Sequence, residues 1–501
     1  MHRNPNPYCC HYHHFSPSSL LPRPFNLPSM ATASPLLPLT FLPSKISAST
    51  STPLRASLPS IDHKLVISGG RPISGHVPIS GSKNSALAVL AGTLCCSSGP
   101  VALRGVPDLL DTRTMADVLR SIGARVEAEH RDVLVVDASD VGLTEPCSEK
   151  IGRIRAGFFV LGPLVARFGK AEVAMPGGCR IGLRPVDLYI KGLEALGAVA
   201  EEEKVCVYGA NGKGLVGGSF HLAYPSVGAT ETFVMAASMA DGVSVLTNAA
   251  MEPEVADLTK FLIACGACIE GAGTSTLVIT GRKKLYGAEF TILPDRIEAG
   301  TFMAAAAITR SCISLSPVIP PHVAQMTEKL TEAGCKITQI GPSALEVSAV
   351  PEVTGGDLQA FNIKTLPYPG FPTDLQAQCM ALLTTCVGSS IIEESVFENR
   401  MHHVEELKKL GADIKVDGNT AFIDGTKPGR IALTGGRVRA ADLRGGAALV
   451  LAGMAASRIT EVENIAQIDR GYERFEEKLL LLGADVKRET EAGVSNLHPV
   501  M

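Results

Sequence analysis

The stretch Pro176-Gly177-Gly178-Cys179-Arg180-Ile181-Gly182-Leu183-Arg184-Pro185-Val186-Asp187 gathers three glycines, a thiol, two guanidiniums and a carboxylate within twelve residues. Arg180 and Arg184 are planar forks suited to phosphate or carboxylate. A thiol beside fixed positive charge ionises more readily and becomes reactive. Paired glycines admit backbone angles closed to other residues, so such a loop can move. Two readings stand: a mobile loop that brings Cys179 over an anionic ligand, or a surface turn whose cysteine merely packs.

Other charged groups stand at the starts of apolar runs. Gly81-Ser82-Lys83-Asn84-Ser85 lies between a strand pattern and a helix pattern. Lys83 and Asn84 there face free N–H groups and the positive end of a helix dipole, which favours anions. Ser226-Val227-Gly228-Ala229-Thr230 opens a second apolar helix, as a phosphate cradle or a plain N-cap. Phe371-Pro372-Thr373-Asp374 puts a carboxylate in a first helical turn. Asp374 is a general base only if it faces a substrate hydroxyl. Arg439-Ala440-Ala441-Asp442-Leu443-Arg444 and Ile468-Asp469-Arg470 set arginines beside aspartates, as ion pairs that fix guanidiniums or as surface pairs of little weight. Each motif alone is weak. Because Lys and Arg recur at equivalent element ends in both halves, two domains facing each other would form a cationic cleft for a small polyanion.

The elements that must hold these residues repeat. A helical pattern closing on Gly-Ala, or a near variant, recurs six times, at Gly123, Gly197, Gly266, Gly334, Gly411 and Gly483, with spacings of 68 to 77 residues. Glycine there suits the left-handed position after a helix. A short β-like run follows each. Each unit opens with a more apolar helix: Ala86–Leu94, Phe158–Arg167, Thr230–Met239, Gly300–Ile308, Leu375–Cys386 and Leu443–Ala456. Helices without a broad polar face are expected to be buried. Six units of apolar helix, strand, amphipathic helix and strand predict two α/β domains of three units each. The expected division is a domain over 83–294 and a discontinuous one over 61–82 plus 295–490, with strands Lys64–Ser68 and His76–Ser80 completing the latter. Cys265-Gly266-Ala267-Cys268 reads as one of these helix endings rather than a redox or zinc motif, since no partner pair has metal-site spacing.

At 501 residues, with a net charge of −4, the chain gives no reason to expect nucleic acid. No run of 18 apolar residues predicts a membrane span. Thirteen scattered cysteines argue against a disulfide framework. Residues 1–60 hold no Asp or Glu but carry Arg3, Arg23, Lys45 and Arg55 among many Ser, Thr, Pro and Leu. That composition predicts an organelle transit peptide, with Met30-Ala31-Thr32-Ala33-Ser34 similar to the start of many chloroplast leaders. Residues 491–501 are expected to be a tail.

Together the motifs Gly81–Asn84, Leu161–Gly169, Pro176–Leu188, Pro225–Thr230, Leu293–Arg296, Phe371–Asp374, Val396–Arg400 and Ile468–Arg474 resemble the UDP-N-acetylglucosamine enolpyruvyl transferases, from Ile61 to about Val486. The resemblance implies a two-domain inside-out α/β barrel with three βαβαββ units per domain. It implies transfer of the enolpyruvyl group of phosphoenolpyruvate to the 3′-hydroxyl of UDP-N-acetylglucosamine, releasing phosphate, without cofactor or metal. That is the committed step toward peptidoglycan. Cys179 matches the family's proton donor and fosfomycin target, Asp374 the carboxylate on the 3′-hydroxyl, and Asn84 a residue at the reacting groups. Lys83, Arg184 and Arg470 match its phosphoenolpyruvate cations, with Arg444 close by. For the nucleotide it points to Arg155, to the run Arg184, Pro185, Val186, Asp187 and Leu188, to Tyr224, Pro225, Ser226 and Val227, and to Val396. Tyr224 stands where some members carry Lys. No obligate protein partner and no membrane partner are implied, and a plastid stroma location is expected from the leader. The nearest rival is the shikimate-pathway enolpyruvyl transferase, which shares the fold but lacks the Gly-Gly-Cys loop.

Overall fold

The computed structural model describes residues 63–490 apart from 131, 180, 183, 202–205, 210–213 and 428–432. The leader, the tail and Arg180 lie outside the described residues. The six glycines that close the helical patterns all adopt the left-handed conformation, with φ between 82° and 106°. They follow helices Leu110–Ser121, Asp187–Ala195, Pro253–Ala264, Ala324–Glu332, His403–Lys409 and Phe475–Leu481. At Gly123 the turn is sealed by Gly123 N–H to Arg120 O (3.1 Å) and Ala124 N–H to Leu119 O (3.1 Å). Those bonds take up carbonyls the helix leaves unpaired.

The six apolar patterns form helices Lys83–Gly92, Leu161–Phe168, Val227–Ala237, Arg296–Ile308, Gln376–Leu383 and Leu443–Ala455. Every residue of Arg296–Ile308 is buried, charged ones included. Small side chains such as Ala304 to Ala307 let neighbouring elements approach closely there. The polar ends of these helices therefore need internal partners. Ser82, Asp295 and Asp442 cap three of them through side-chain oxygens.

The unit is richer than a strand–helix alternation. In the third, strand Ser219–His221 runs parallel to Val243–Thr247, which pairs antiparallel with Thr276–Thr280, and that strand with Cys268–Glu270. The run after the Gly cap is thus the first arm of a hairpin in the first five units, and in the sixth it pairs instead with His63–Ser68. The same four-strand order recurs in four other sheets. Two of these take a strand from the start of the chain. His63–Ser68 lies between Ile459–Glu463 and Asp485–Thr490, and Ser74–Pro78 runs parallel to Cys312–Ser316.

Core residues fall into two clusters. One takes Leu65 to Ile79 with Ile297 to Val486; the other takes Ala86 to Ile292. Cys179 lies in sequence within the second cluster's span but packs against the first. Its loop therefore crosses from one lobe to the other, within a single compact unit.

Candidate active site

Lys83 begins a buried helix, and its Nζ lies 2.9 Å from Asp111 Oδ2. Asp111 sits in the first turn of Leu110–Ser121 and is 4% exposed. Its other oxygen accepts from Arg470 Nε at 2.9 Å, and Arg470 Nη2 lies 3.4 Å from Oδ2. Arg470 Nη1 then donates to Cys179 Sγ at 3.3 Å. One carboxylate thus joins two cations, and one of these touches the thiol. Burial works against the charge on Asp111, but Lys83 and Arg470 hold its carboxyl below the ordinary carboxylate value.

A second carboxylate is clamped nearby. Asp374 Oδ1 lies 2.7 Å from Arg400 Nη2, and Oδ2 lies 3.2 Å from Arg444 Nη2. Burial again opposes ionisation, yet the two guanidiniums hold this carboxyl far below the usual range. Arg444 is 2% exposed and lies over the Tyr472 ring at 5.1 Å. Its Nε and Nη1 are buried without a hydrogen-bond partner. The Tyr472 hydroxyl acts on the Arg444 charge without meeting strict hydrogen-bond geometry, so the guanidinium keeps donor capacity that Asp374 does not fill.

The loop with Cys179 is held by both lobes. A side chain at Gly177 would strike Gly152 O, and Gly178 adopts φ +104° against the Arg155 backbone. Asn399 N–H donates to Ile181 O at 3.3 Å, and the Glu398 carboxylate lies against Gly182. Arg184, itself at φ +46°, stacks on Phe397 at 5.3 Å. Arg155 Nη2 donates to the carbonyls of Arg184 (2.5 Å) and Pro185 (3.3 Å). Val186, Asp187 and Leu188 lead into helix Asp187–Ala195, with Pro185 and Asp187 exposed.

Among the other expected nucleotide residues, Ser226 caps its helix by accepting from Ala229 N–H, so the plain-cap reading describes its contact. Pro225 and Val227 flank it half-buried, and Tyr224 is exposed. Glu252 and Glu394 lie near enough to Tyr224 to raise its phenol further, after burial. Glu394 in turn accepts from Val396 N–H at 2.9 Å. No described contact joins the 224–227 loop directly to Arg155 or Arg184.

Asn84 Nδ2 donates to Glu254 Oε1 at 3.2 Å, and Glu254 pairs with Arg296 at 3.4 Å. Glu252 accepts from Tyr368 N–H at 3.1 Å, with its second oxygen buried and unpartnered. Burial, then Glu254, push the Glu252 carboxyl up to about 7. Glu231, 1% exposed, is raised by the same two causes and by Glu252.

A two-lobed α/β molecule with a cysteine loop in contact with Arg470 now has relatives to stand beside. The family profile of EPSP synthase (3-phosphoshikimate 1-carboxyvinyltransferase) matches residues 67–479. UDP-N-acetylglucosamine 1-carboxyvinyltransferase from Nostoc sp. is 48% identical over 431 residues, covering 85% of this chain and 94% of the relative. That of Carboxydothermus hydrogenoformans is 48% identical over 428 residues, covering 85% of this chain and 100% of the relative. The chain belongs to the EPSP synthase family of enolpyruvyl transferases. Among solved members, the enolpyruvyl transferase NikO from Streptomyces tendae superposes with a TM-score of 0.76 at 26% identity, covering 86% of this chain and 100% of its own. EPSP synthase from Acinetobacter baumannii shares the fold, at a TM-score of 0.64 and 18% identity, over 86% of this chain and 100% of its own. The inside-out α/β architecture expected for the family is the one seen here.

For this enolpyruvyl transferase, the structure brings Lys83, Cys179 and Arg470 together through Asp111, and Asp374 and Arg444 with Arg400. Sequence reasoning missed Asp111, Arg400 and the pair Glu252 and Glu254. An acid in a first helical turn, as Asp111 is, reads as ordinary dipole stabilisation. Arg400 lies in a motif that carried the resemblance, but nothing in its spacing points to Asp374. Among the described residues no group of three or more His, Cys, Asp or Glu is arranged to hold a metal, and no helix is long and apolar enough to cross a membrane.

Proposed function

We propose that this chain transfers the enolpyruvyl group of phosphoenolpyruvate to the 3′-hydroxyl of UDP-N-acetylglucosamine, releasing phosphate, in the first committed step of peptidoglycan precursor synthesis. The observation that carries the reading is the Cys179 thiol, hydrogen-bonded to Arg470 in a site whose Arg444 keeps buried donors unpaired. A small polyanion supplies what those donors lack. Lys83, Arg184, Arg444 and Arg470 bind phosphoenolpyruvate, with Asn84 at the reacting groups. Arg155, the 184–188 run, the 224–227 loop and Val396 hold the nucleotide sugar.

The chemistry follows from these positions. Cys179 gives its proton to C3 of phosphoenolpyruvate while the sugar oxygen forms a bond to C2. The cations stabilise the tetrahedral adduct. Loss of phosphate, with one C3 proton returned to the Cys179 sulfur, restores the enol ether, and the proton taken from the 3′-hydroxyl leaves with the phosphate. Asp374 accepts from the 3′-hydroxyl. Clamped by two arginines it is a weak base. When Arg444 turns to the incoming anion, Asp374 loses one of these partners and its basicity rises. Phosphoenolpyruvate binding thereby readies the carboxylate for the sugar.

The two core clusters support a division into a domain over 83–294 and a discontinuous domain over 61–82 plus 295–490. The acid-free leader supports import into a plastid stroma; a reporter fused to residues 1–61 that stays in the cytosol contradicts it. The activity itself is tested by phosphate release from phosphoenolpyruvate with UDP-N-acetylglucosamine. Turnover with shikimate 3-phosphate instead overturns the substrate assignment.

A further inference from the structure

The contact that neither the motifs nor the proposed chemistry uses is Asp111. It lies between Lys83, on the first helix of one lobe, and Arg470, on the segment that follows the last buried helix of the other. Its own helix start is docked on that segment. Leu110 N–H donates to Asp469 O at 3.2 Å, and Asp108 N–H to Glu473 Oε1 at 2.9 Å. The side chains of Lys83 and Arg470 are each 11% exposed, so water screens them little. Two cations in that setting repel each other strongly unless an anion sits between them.

The charges that face Cys179 are those of Arg470, in contact with its sulfur, and of Arg184 on its own loop. The Arg155 backbone packs beneath Gly178, and the remaining hydrogen bond of Arg470 Nη1 goes to Gln467 Oε1 at 3.3 Å. A proton donor must hold its proton until the substrate is in place. Uncompensated guanidinium and ammonium charge beside the sulfur would instead favour the thiolate.

We infer that Asp111 is a positioning residue for the reaction: it clasps Lys83 and Arg470 from opposite lobes into one geometry and offsets the positive charge that faces the Cys179 thiol. The inference rests on the enolpyruvyl transfer reading, in which Cys179 is the acid. In the free protein the clasp leaves the three groups with one net positive charge. The phosphate then meets cations already gathered beside Cys179.

The test is the rate at which iodoacetamide alkylates Cys179 in the substrate-free full chain at pH 7, read by peptide mass. Asp111→Asn removes the offsetting charge and raises this rate at least threefold. Asp111→Glu keeps the charge and stays within twofold of wild type. Lys83→Met moves the rate the other way, to below half, because Asp111 then balances Arg470 alone. In turnover, kcat of Asp111→Asn falls at least tenfold while KM for UDP-N-acetylglucosamine stays within twofold. If Asp111→Asn and Lys83→Met shift alkylation in the same direction, the effect is loosening of the fold and the inference is overturned. Rates unchanged in both overturn it as well. Should Asp111→Asn fail to fold, the Lys83→Met arm decides alone. A wild-type chain without turnover on both substrates sinks the proposed function but leaves the alkylation arms readable.

Discussion

Glu252 presents a buried carboxyl with one oxygen bonded to Tyr368 N–H and the other unpartnered. Its folded value, about 7, lies above the ordinary 4.5 because burial and Glu254 disfavour the charge. The neutral form is therefore the one the fold prefers. Its contribution to stability is fully present below pH 4.5 and is lost as pH rises through 7. Above pH 8 the ionised group costs on the order of 3 kcal/mol. Glu252→Gln keeps the acceptor for Tyr368 and removes that cost. Melting curves should show the variant a few degrees more stable than wild type at pH 8 and little changed at pH 5. An equal shift at both pH values contradicts this account. Residues of this kind explain what the sequence hid. Asp111 and Arg470 are 359 positions apart, and Glu252 meets Tyr368 across 116. No local spacing encodes such pairs. Cys179, Lys83 and Arg470 stood out because paired glycines, a helix start and a neighbouring aspartate mark them locally, and the structure joins the three through Asp111.

At the scale of elements, the cysteine loop depends on backbone packed on backbone. Gly177 leaves no room for a side chain, since a Cβ there would lie 1.7 Å from Gly152 O. Gly177→Ala must displace the loop or the backbone at Gly152 against which it rests. We expect turnover to fall at least tenfold, with Tm lowered by only a few degrees, because the loop lies outside both cores. Wild-type kcat in that variant would show that the loop's seat on Gly152 is dispensable. The helix ends were readable in advance, because a residue following a helix in left-handed geometry is usually Gly, and six such glycines recur at a near-constant interval. The second arm of each hairpin was not. Thr276–Thr280 is a five-residue alternating run bounded by Gly271, Gly273 and Gly281, a pattern that marks a strand but not which strand it pairs with.

For the whole molecule, the site lies where two separately cored lobes meet, and the described loop contacts tie them together. A ligand that binds across both lobes stabilises the folded chain by about 2.7 kcal/mol at a hundred times its Kd. UDP-N-acetylglucosamine should therefore raise Tm in a thermal shift assay, and shikimate 3-phosphate should not. The reverse pattern assigns the chain to the other branch of its family. The strand patterns ahead of the first repeat were legible as an addition to the later lobe; that His63–Ser68 fills the place between Ile459–Glu463 and Asp485–Thr490 was not, because no local signal encodes a pairing between segments so far apart in the chain.

The central claim is that Cys179 donates a proton in enolpyruvyl transfer. Phosphate release from phosphoenolpyruvate and UDP-N-acetylglucosamine, compared between wild type and Cys179→Ser, tests it most directly. General acid catalysis contributes roughly 10²–10⁴-fold, so kcat for the serine variant should fall by about that factor, because a hydroxyl is a far weaker acid. Wild-type turnover retained in Cys179→Ser would remove the thiol from the mechanism.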